Sequence, residues 1–401
     1  MPADRPTWFQ SVTTPGAMVF AIMFALESLA RSTLWTIVPL QAYALLASER
    51  DVTLLNLVVS IFGTVAGLTV PLLIRRFRRR WVYSLGVGMT ATAAILIATG
   101  TMDGLIGGML ARAFGGAASN ISLMLYVMDY IRRRDLVYSE PLRMKLSAAA
   151  WASGPFLGVF LNDWIGPGTG ESLTVLSGAV LLAYFWFLRI HDNPAVAAAT
   201  QPPPNPFKSV ARFIAQPRLR LGWFIPFGRS CWWSMFGIYP PIYMVQQFGG
   251  GADEPGRLYG SLLVSVANAL LFAAPLAGRL GARFGLRLPI IGAFIGMGGL
   301  TCLAAAVYDT PVAVTICLLL AGVGAVTLDA LGGIPFMRSV HPYERPQMTA
   351  VYRTYIDLSD LLPAAIFAFL LSYFDIRAVF LASGLFGLAV AVVARQLPRR
   401  M

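Results

Sequence analysis

Eight ionisable side chains stand inside long apolar runs of this chain: Glu27, Arg31, Arg112, Arg229, Asp329, Arg353, Asp357 and Asp360. A charge at the centre of a bilayer costs about 2.5–3.5 kcal/mol on insertion scales, so each must meet a partner or face a water-filled cavity. Four are acids and four are bases, which permits mutual neutralisation. Glu27 and Arg31 are i and i+4 with the acid first, the favourable order for a helical pair. Arg353, Asp357 and Asp360 follow i, i+4, i+7 and so share one helix face. Two carboxylates that close resist double ionisation, so one can take up and release a proton. In the other reading Arg353 neutralises Asp357 and Asp360 faces water. Glu27 and Asp329 are further candidate proton carriers.

Two of the arginines repeat a local pattern. RSTLW starts at Arg31 and RSCWW at Arg229, each in the middle of an apolar run. The run around Arg229 has no acid, so its partner must come from another helix or from a ligand. Three readings stay open for this pair: structural ion pairs, a clamp for a carboxylate or phosphate, or a gate that exchanges partners between conformations. Trp35, Trp232, Trp233 and Tyr239 would line the same region, as substrate contacts or as helix packing. Asn120 offers a polar contact to a cavity or to a neighbouring helix.

The elements that hold these residues follow from composition. Of 401 residues, 57% are hydrophobic and 12% charged, against about 25% charged in soluble chains. Apolar runs of about 20 residues, the length of a membrane-crossing helix, recur from end to end. They predict spans near 17–46, 52–74, 81–101, 104–128, 141–161, 172–190, 220–246, 257–277, 287–308, 311–336, 347–373 and 377–396. The alternating segments of a barrel are absent. The expected fold is an all-α polytopic membrane protein of twelve transmembrane helices in two six-helix pseudo-symmetric bundles. MPADRPTWFQ lacks the layout of a cleavable signal peptide.

The net charge is +12, but the arginines sit in alternate loops: RRFRRR at 75–80, RRR at 132–134 with Arg143 and Lys145, and Arg279 to Arg287. That is positive-inside patterning, which puts both termini in the cytoplasm and makes nucleic acid unnecessary. RRFRRR reads as a topology anchor that can also attract anionic lipid. Cys231, Cys302 and Cys317 fall within spans and suit neither disulfides nor a metal. His191 and His341 are in loops. No cofactor or metal is expected.

Residues 191–218 contain PPPNP, an extended spacer, then FKSVARFI with Phe207, Val210, Phe213 and Ile214 on one face, read as a surface helix. The expected organisation is an N-terminal bundle at 1–190, a cytoplasmic linker at 191–218 and a C-terminal bundle at 219–401. LLIRRFRRR (72–80) and RLGARFGLR (279–287) occupy equivalent loops, adding to the paired arginines. Parallel six-span repeats place a binding site near the midplane, between the halves.

Over essentially its whole length the chain resembles the major facilitator superfamily of transporters. The family's loop pattern G-x-L-x-D-R-x-G-R-R is recognisable as Gly278, Leu280, Arg283, Gly285 and Arg287, with Ala282 replacing the aspartate. In the first half Leu73, Arg76, Arg79 and Arg80 remain, and Arg75 replaces the aspartate. The resemblance therefore does not carry the family's aspartate latch to this chain. MLARAFGGAAS is similar to the family pattern around an arginine, here Arg112, that influences a nearby proton-binding acid in proton-coupled members. AWASGPFLG resembles a stretch frequent in exporters, with Gly154, Pro155 and Gly158 matching and Ala150 in the first glycine position. HPYERPQM (341–348) resembles the family's P-x-E-R loop.

These observations imply a secondary transporter working by alternating access. No phosphate-cradling G-x-x-x-x-G-K-[ST] loop is present. Proton-coupled export of a small organic compound is the favoured expectation, and transport of an anionic metabolite or organophosphate through Arg31 and Arg229 the alternative. A membrane enzyme would need a nucleophile–base or metal constellation, and none stands out. A sensor that binds without translocating is the third class. The expected setting is a monomer in a bacterial inner membrane, with solute, protons and lipids as partners.

Overall fold

A computed structural model describes residues 16–130, 136–188, 206–251, 254–340 and 345–398. Among the described residues the regular structure is helical, and the chain divides into two compact units. Unit 1 comprises residues 1–47 with 58–200, and unit 2 residues 48–57 with 201–401. The sequence-based division had left 48–57 in the first bundle. The helices that begin in unit 1 are α1 (Ala17–Leu46), α3 (Arg79–Ala98), α4 (Met102–Tyr130), α5 (Leu136–Trp164) and α6 (Thr169–Phe187); α2 (Glu49–Arg76) is shared, its first turns belonging to unit 2. Unit 2 continues with α7 (Pro206–Ala215), α8 (Pro217–Phe248), α9 (Gly256–Ala269), α10 (Ala274–Phe284), α11 (Arg287–Ala306), α12 (Pro311–Leu331), α13 (Ile334–Ser339), α14 (Arg345–Leu370) and α15 (Ile376–Ala394).

Eight helical runs are long and apolar enough to cross a membrane: α1, α2, α3, α6, α9 with α10, α11, α12 with α13, and α15. The other four expected places are held by α4, α5, α8 and α14, which have 29, 29, 32 and 26 residues. At about 1.5 Å per residue each exceeds a hydrocarbon core about 30 Å thick. α4, α5 and α8 overrun the expected spans at both ends because hydrogen-bonded turns continue beyond the apolar core. A 3-10 turn at Leu270–Ala273 separates α9 from α10, just ahead of Pro275, which has no N–H for the ladder.

The same four pairings build each unit. In unit 1, α1 packs on α5 and α6, and α3 on α4 and α6. In unit 2, α8 packs on α14 and α15, and α11 on α12 and α15. The repeat read from short matching stretches is therefore a repeat of packing.

Close approach, which drives association where water offers no hydrophobic gain, is clearest between α1 and α5. A Cβ on Gly154 would stand 2.0 Å from Ser32 Oγ and 3.0 Å from Thr33 N, and one on Gly158 2.8 Å from Thr33 O. Ser32 donates to the Ala150 carbonyl at 2.9 Å, and Ser28 and Ser147 bond each other at 2.9 Å. Thus the G-P-x-x-G stretch seats α5 against the helix that carries Glu27 and Arg31. Gly278, in the loop pattern, differs: a Cβ there would meet nothing. Gly285 adopts φ 75 and turns the chain between α10 and α11, where Arg283 lies over the Phe284 ring and Arg287 opens the next helix.

The amphipathic segment after the linker forms α7, but its apolar residues divide. Phe213 is buried with Leu219, Phe336 and Met348, whereas Val210 and Ile214 are exposed. Phe213 ties it to the rest of unit 2. Residues 202–205 of the PPPNP core, the side chain of Phe207, His191 and His341 lie outside the described residues.

Candidate functional site

In unit 1 the chemistry centres on Glu27, about a third of the way along α1 and 4% exposed. Its Oε1 accepts a hydrogen bond from Ser119 Oγ of α4 at 2.8 Å, and its Oε2 has no hydrogen-bond partner. Arg31, one turn on, and Arg143 of α5 both act on this carboxylate electrostatically. The Arg143 guanidinium lies 4.3 Å from the centroid of Phe24. Arg143, grouped in the sequence with the basic residues at the start of the fifth span, is brought by α5 within electrostatic reach of Glu27. Tyr83 of α3 is buried within electrostatic reach of Glu27, and its hydroxyl, like that of Ser122, has no hydrogen-bond partner. The result is a carboxylate of α1 met by groups of α3, α4 and α5, with one acceptor oxygen buried and unpartnered.

Arg31 is half-buried and makes no hydrogen bond to a described residue. One turn further along α1, Trp35 meets Trp151 of α5 edge to face at 5.3 Å. Asn120 and Arg112 are half-buried on α4.

Unit 2 treats the matching arginine differently. Arg229 of α8 forms an ion pair with Asp329 of α12 and donates to Ser230 Oγ at 2.6 Å. Trp233 donates Nε1–H to the other oxygen of Asp329 at 3.0 Å. The ring of Tyr355, on α14, lies 5.9 Å from the guanidinium carbon. The partner missing from the span of Arg229 is thus Asp329.

Two of the aromatics offered as substrate contacts or as helix packing are buried here. Trp232 is 2% exposed, stacks on Phe236 at 4.7 Å and donates to Thr301 Oγ1 at 2.9 Å. Tyr239 is 1% exposed and bonds Thr53 Oγ1 at 2.9 Å. Thr53 already donates to the Glu49 carbonyl, so Tyr239 is the donor. On α14, Arg353 is half-buried and acts electrostatically on Asp357, while Asp357 and Asp360 are exposed.

Sequence reasoning missed Ser119, Tyr83, Trp151, Tyr355 and the reach of Arg143. Ser119 and Ser122, three apart and beside Asn120, were the one visible hint of a polar face on α4. Among the described residues no group of three or more His, Cys, Asp or Glu could hold a metal ion.

Two helical units with repeated pairings, long apolar spans and charges set in mid-helix define a multi-pass membrane transport scaffold. The model of the Major Facilitator Superfamily matches residues 20–270 and 223–400, and the chain belongs to that family. A curated relative is the MFS-type transporter ucsD of Acremonium sp, 26% identical over 176 residues, or 42% of this chain. That match spans only 29% of the relative's length. Among solved structures, the nucleoside transporter NupG matches with TM-score 0.73 and 13% identity, covering 94% of this chain and 98% of NupG. A POT family transporter in complex with 5-aminolevulinic acid matches with TM-score 0.75 and 10% identity over 95% of both chains. At such identities these likenesses establish the fold.

Proposed function

We propose that this protein is a proton-coupled secondary transporter that exports a small organic solute by alternating access. Glu27 carries the reading. It is a buried carboxylate with one hydrogen-bond donor and one open oxygen, so a proton can be taken up there without breaking a closed network. Arg31 and Arg143 hold the charged form when the proton leaves. Asp357 and Asp360, beside Arg353 on α14, are the second proton-carrying group, with Arg112 modulating the first and Asp329 held in its pair. Gly154, Pro155 and Gly158 support export through the resemblance of their stretch. Arg31, Trp35, Trp233 and Asn120 contact the solute. Both termini lie in the cytoplasm, and the membrane is a plasma membrane.

The test uses proteoliposomes and two fluorescent probes, the lipophilic cation ethidium and the anion fluorescein. In the wild type an imposed pH gradient drives accumulation of the transported probe. Glu27→Gln abolishes that accumulation but keeps gradient-independent counterflow. Equal pH-driven accumulation in both proteins would remove Glu27 from coupling.

The anionic-solute reading keeps one supporting observation: the Arg31 guanidinium has no hydrogen bond among described residues. Arg229, tied to Asp329 and Ser230, would have to release its partners to join a clamp. Transport of fluorescein, lost in both Arg31→Ala and Arg229→Ala, would establish it.

A further inference from the structure

At the arginine-rich end of unit 1, the first turn of α3 and the last turn of α6 gather two indoles and a guanidinium. Trp81 and Trp186 lie 5.3 Å apart, centroid to centroid, with their planes tilted by 55°. The Arg80 guanidinium carbon is 5.7 Å from the Trp81 ring and 5.8 Å from the Trp186 ring, so the cation is held by both. Trp186 is itself fixed, donating Nε1–H to Ser84 Oγ at 3.2 Å. Arg80 has no ion pair with a described acid, and its Nε is buried without a hydrogen-bond partner. Ring faces attract a cation but cancel none of its charge. Arg80 is thus a positioned fork of donors with no anion of its own.

The depth of this cluster identifies its occupant. Arg80 is the second residue of a membrane-spanning helix and Trp186 the next-to-last of another, which is the headgroup level where tryptophans concentrate. Arg76 and Arg78 are exposed beside it, which adds positive field. Below the cluster the surface turns apolar and stays open: Leu85, one turn along α3 from Trp81, is exposed, and so are Leu176 and Val180 of α6. A soluble phosphate would gain nothing from that face. A lipid would use the charge and the apolar face together.

We propose that Arg80, Trp81 and Trp186 form a binding site for an anionic phospholipid, its phosphate on Arg80 and its acyl chains along the exposed face of α3 and α6. The site lies on the outer wall of unit 1 and is independent of the Glu27 centre.

The full-length protein, delipidated in detergent, is titrated with phosphatidylglycerol or with phosphatidylcholine of the same chains, and bound lipid is counted by native mass spectrometry. Wild type retains phosphatidylglycerol in preference to phosphatidylcholine. Arg80→Ala lowers phosphatidylglycerol retention about fivefold or more, whereas Arg76→Ala, which removes only an exposed charge four residues away, lowers it by a clearly smaller factor. Should Arg80→Ala not elute as a folded species, Arg80→Gln carries the same expectation, since it keeps the stem against the indoles and removes the charge. Equal losses in Arg76→Ala and Arg80→Ala would mean diffuse attraction and overturn the site. Equal retention of the two lipids would do the same. Inorganic phosphate is the soluble arm: displacement of the lipid by millimolar phosphate would assign the cluster to a free anion instead.

Discussion

Changing Asp329 to Asn removes the charge opposite Arg229 while keeping the shape of the side chain. The single amide oxygen can still accept from Trp233, which turns the NH2 toward Arg229 and removes the Arg229 hydrogen bond together with the charge. The lost counter-charge stood opposite a guanidinium whose side chain is 17% exposed, against 15% for the aspartate. Removing one member of a buried pair costs about 3–5 kcal/mol. The lower end applies here, because Ser230 and the Tyr355 ring still hold the cation. For a unit of this size each kcal/mol moves the midpoint by about 2–4 °C, so a loss of about 3 kcal/mol lowers it by about 6–12 °C. Fluorescence-detected size exclusion after heating reads this in detergent. The double variant Arg229→Met with Asp329→Leu should recover most of the loss, since a buried pair replaced by apolar groups of similar volume is often neutral. A single variant melting with the wild type, or a double variant no better than the single, would refute the account of a charge held by its partner.

Three further outcomes follow from single contacts. Gly154→Val drives a side chain into Ser32 and the Thr33 backbone and should cost about 1–3 kcal/mol; an unchanged midpoint would show that α1 and α5 can separate freely. Thr301→Val orphans the buried Trp232 Nε1–H and should cost about 1–3 kcal/mol, while Thr301→Ser keeps the acceptor and stays near wild type; equal melting of the two would argue against the hydrogen bond. Because Tyr239 donates to Thr53, Thr53→Val leaves an unsatisfied buried hydroxyl and should destabilise more than Tyr239→Phe, by about 1 kcal/mol. The reverse order in thermal melts would show the donor assignment to be mistaken.

The places of the spans were legible because an apolar run of membrane length announces itself residue by residue. The charges were legible too, since Glu27, Arg229 and Asp357 each interrupt such a run. Their partners were not. Asp329 is 100 residues from Arg229 and Ser119 is 92 from Glu27, and no periodicity joins positions that far apart. The aromatics after Arg229 stayed ambiguous for a different reason: helical spacing suits a cavity wall and a packed core alike, and only depth separates Trp232 from Trp233. The reach of Arg143 to Glu27 was not legible, because the two stand on different helices and no local pattern joins them.

The shared pairings of the two units bear on descent. If one six-helix segment was copied, packing was what the copies kept: the first helix still rests on the fifth and sixth, and the third on the fourth and sixth. The polar groups drifted. One copy has an acid a turn away from its arginine on the same helix and a serine on the fourth; the other has lost the first acid and gained one on the fourth. Ancestral reconstruction of such a segment would recover its steric skeleton from either half, but its ionic wiring only from the two halves read as independent solutions.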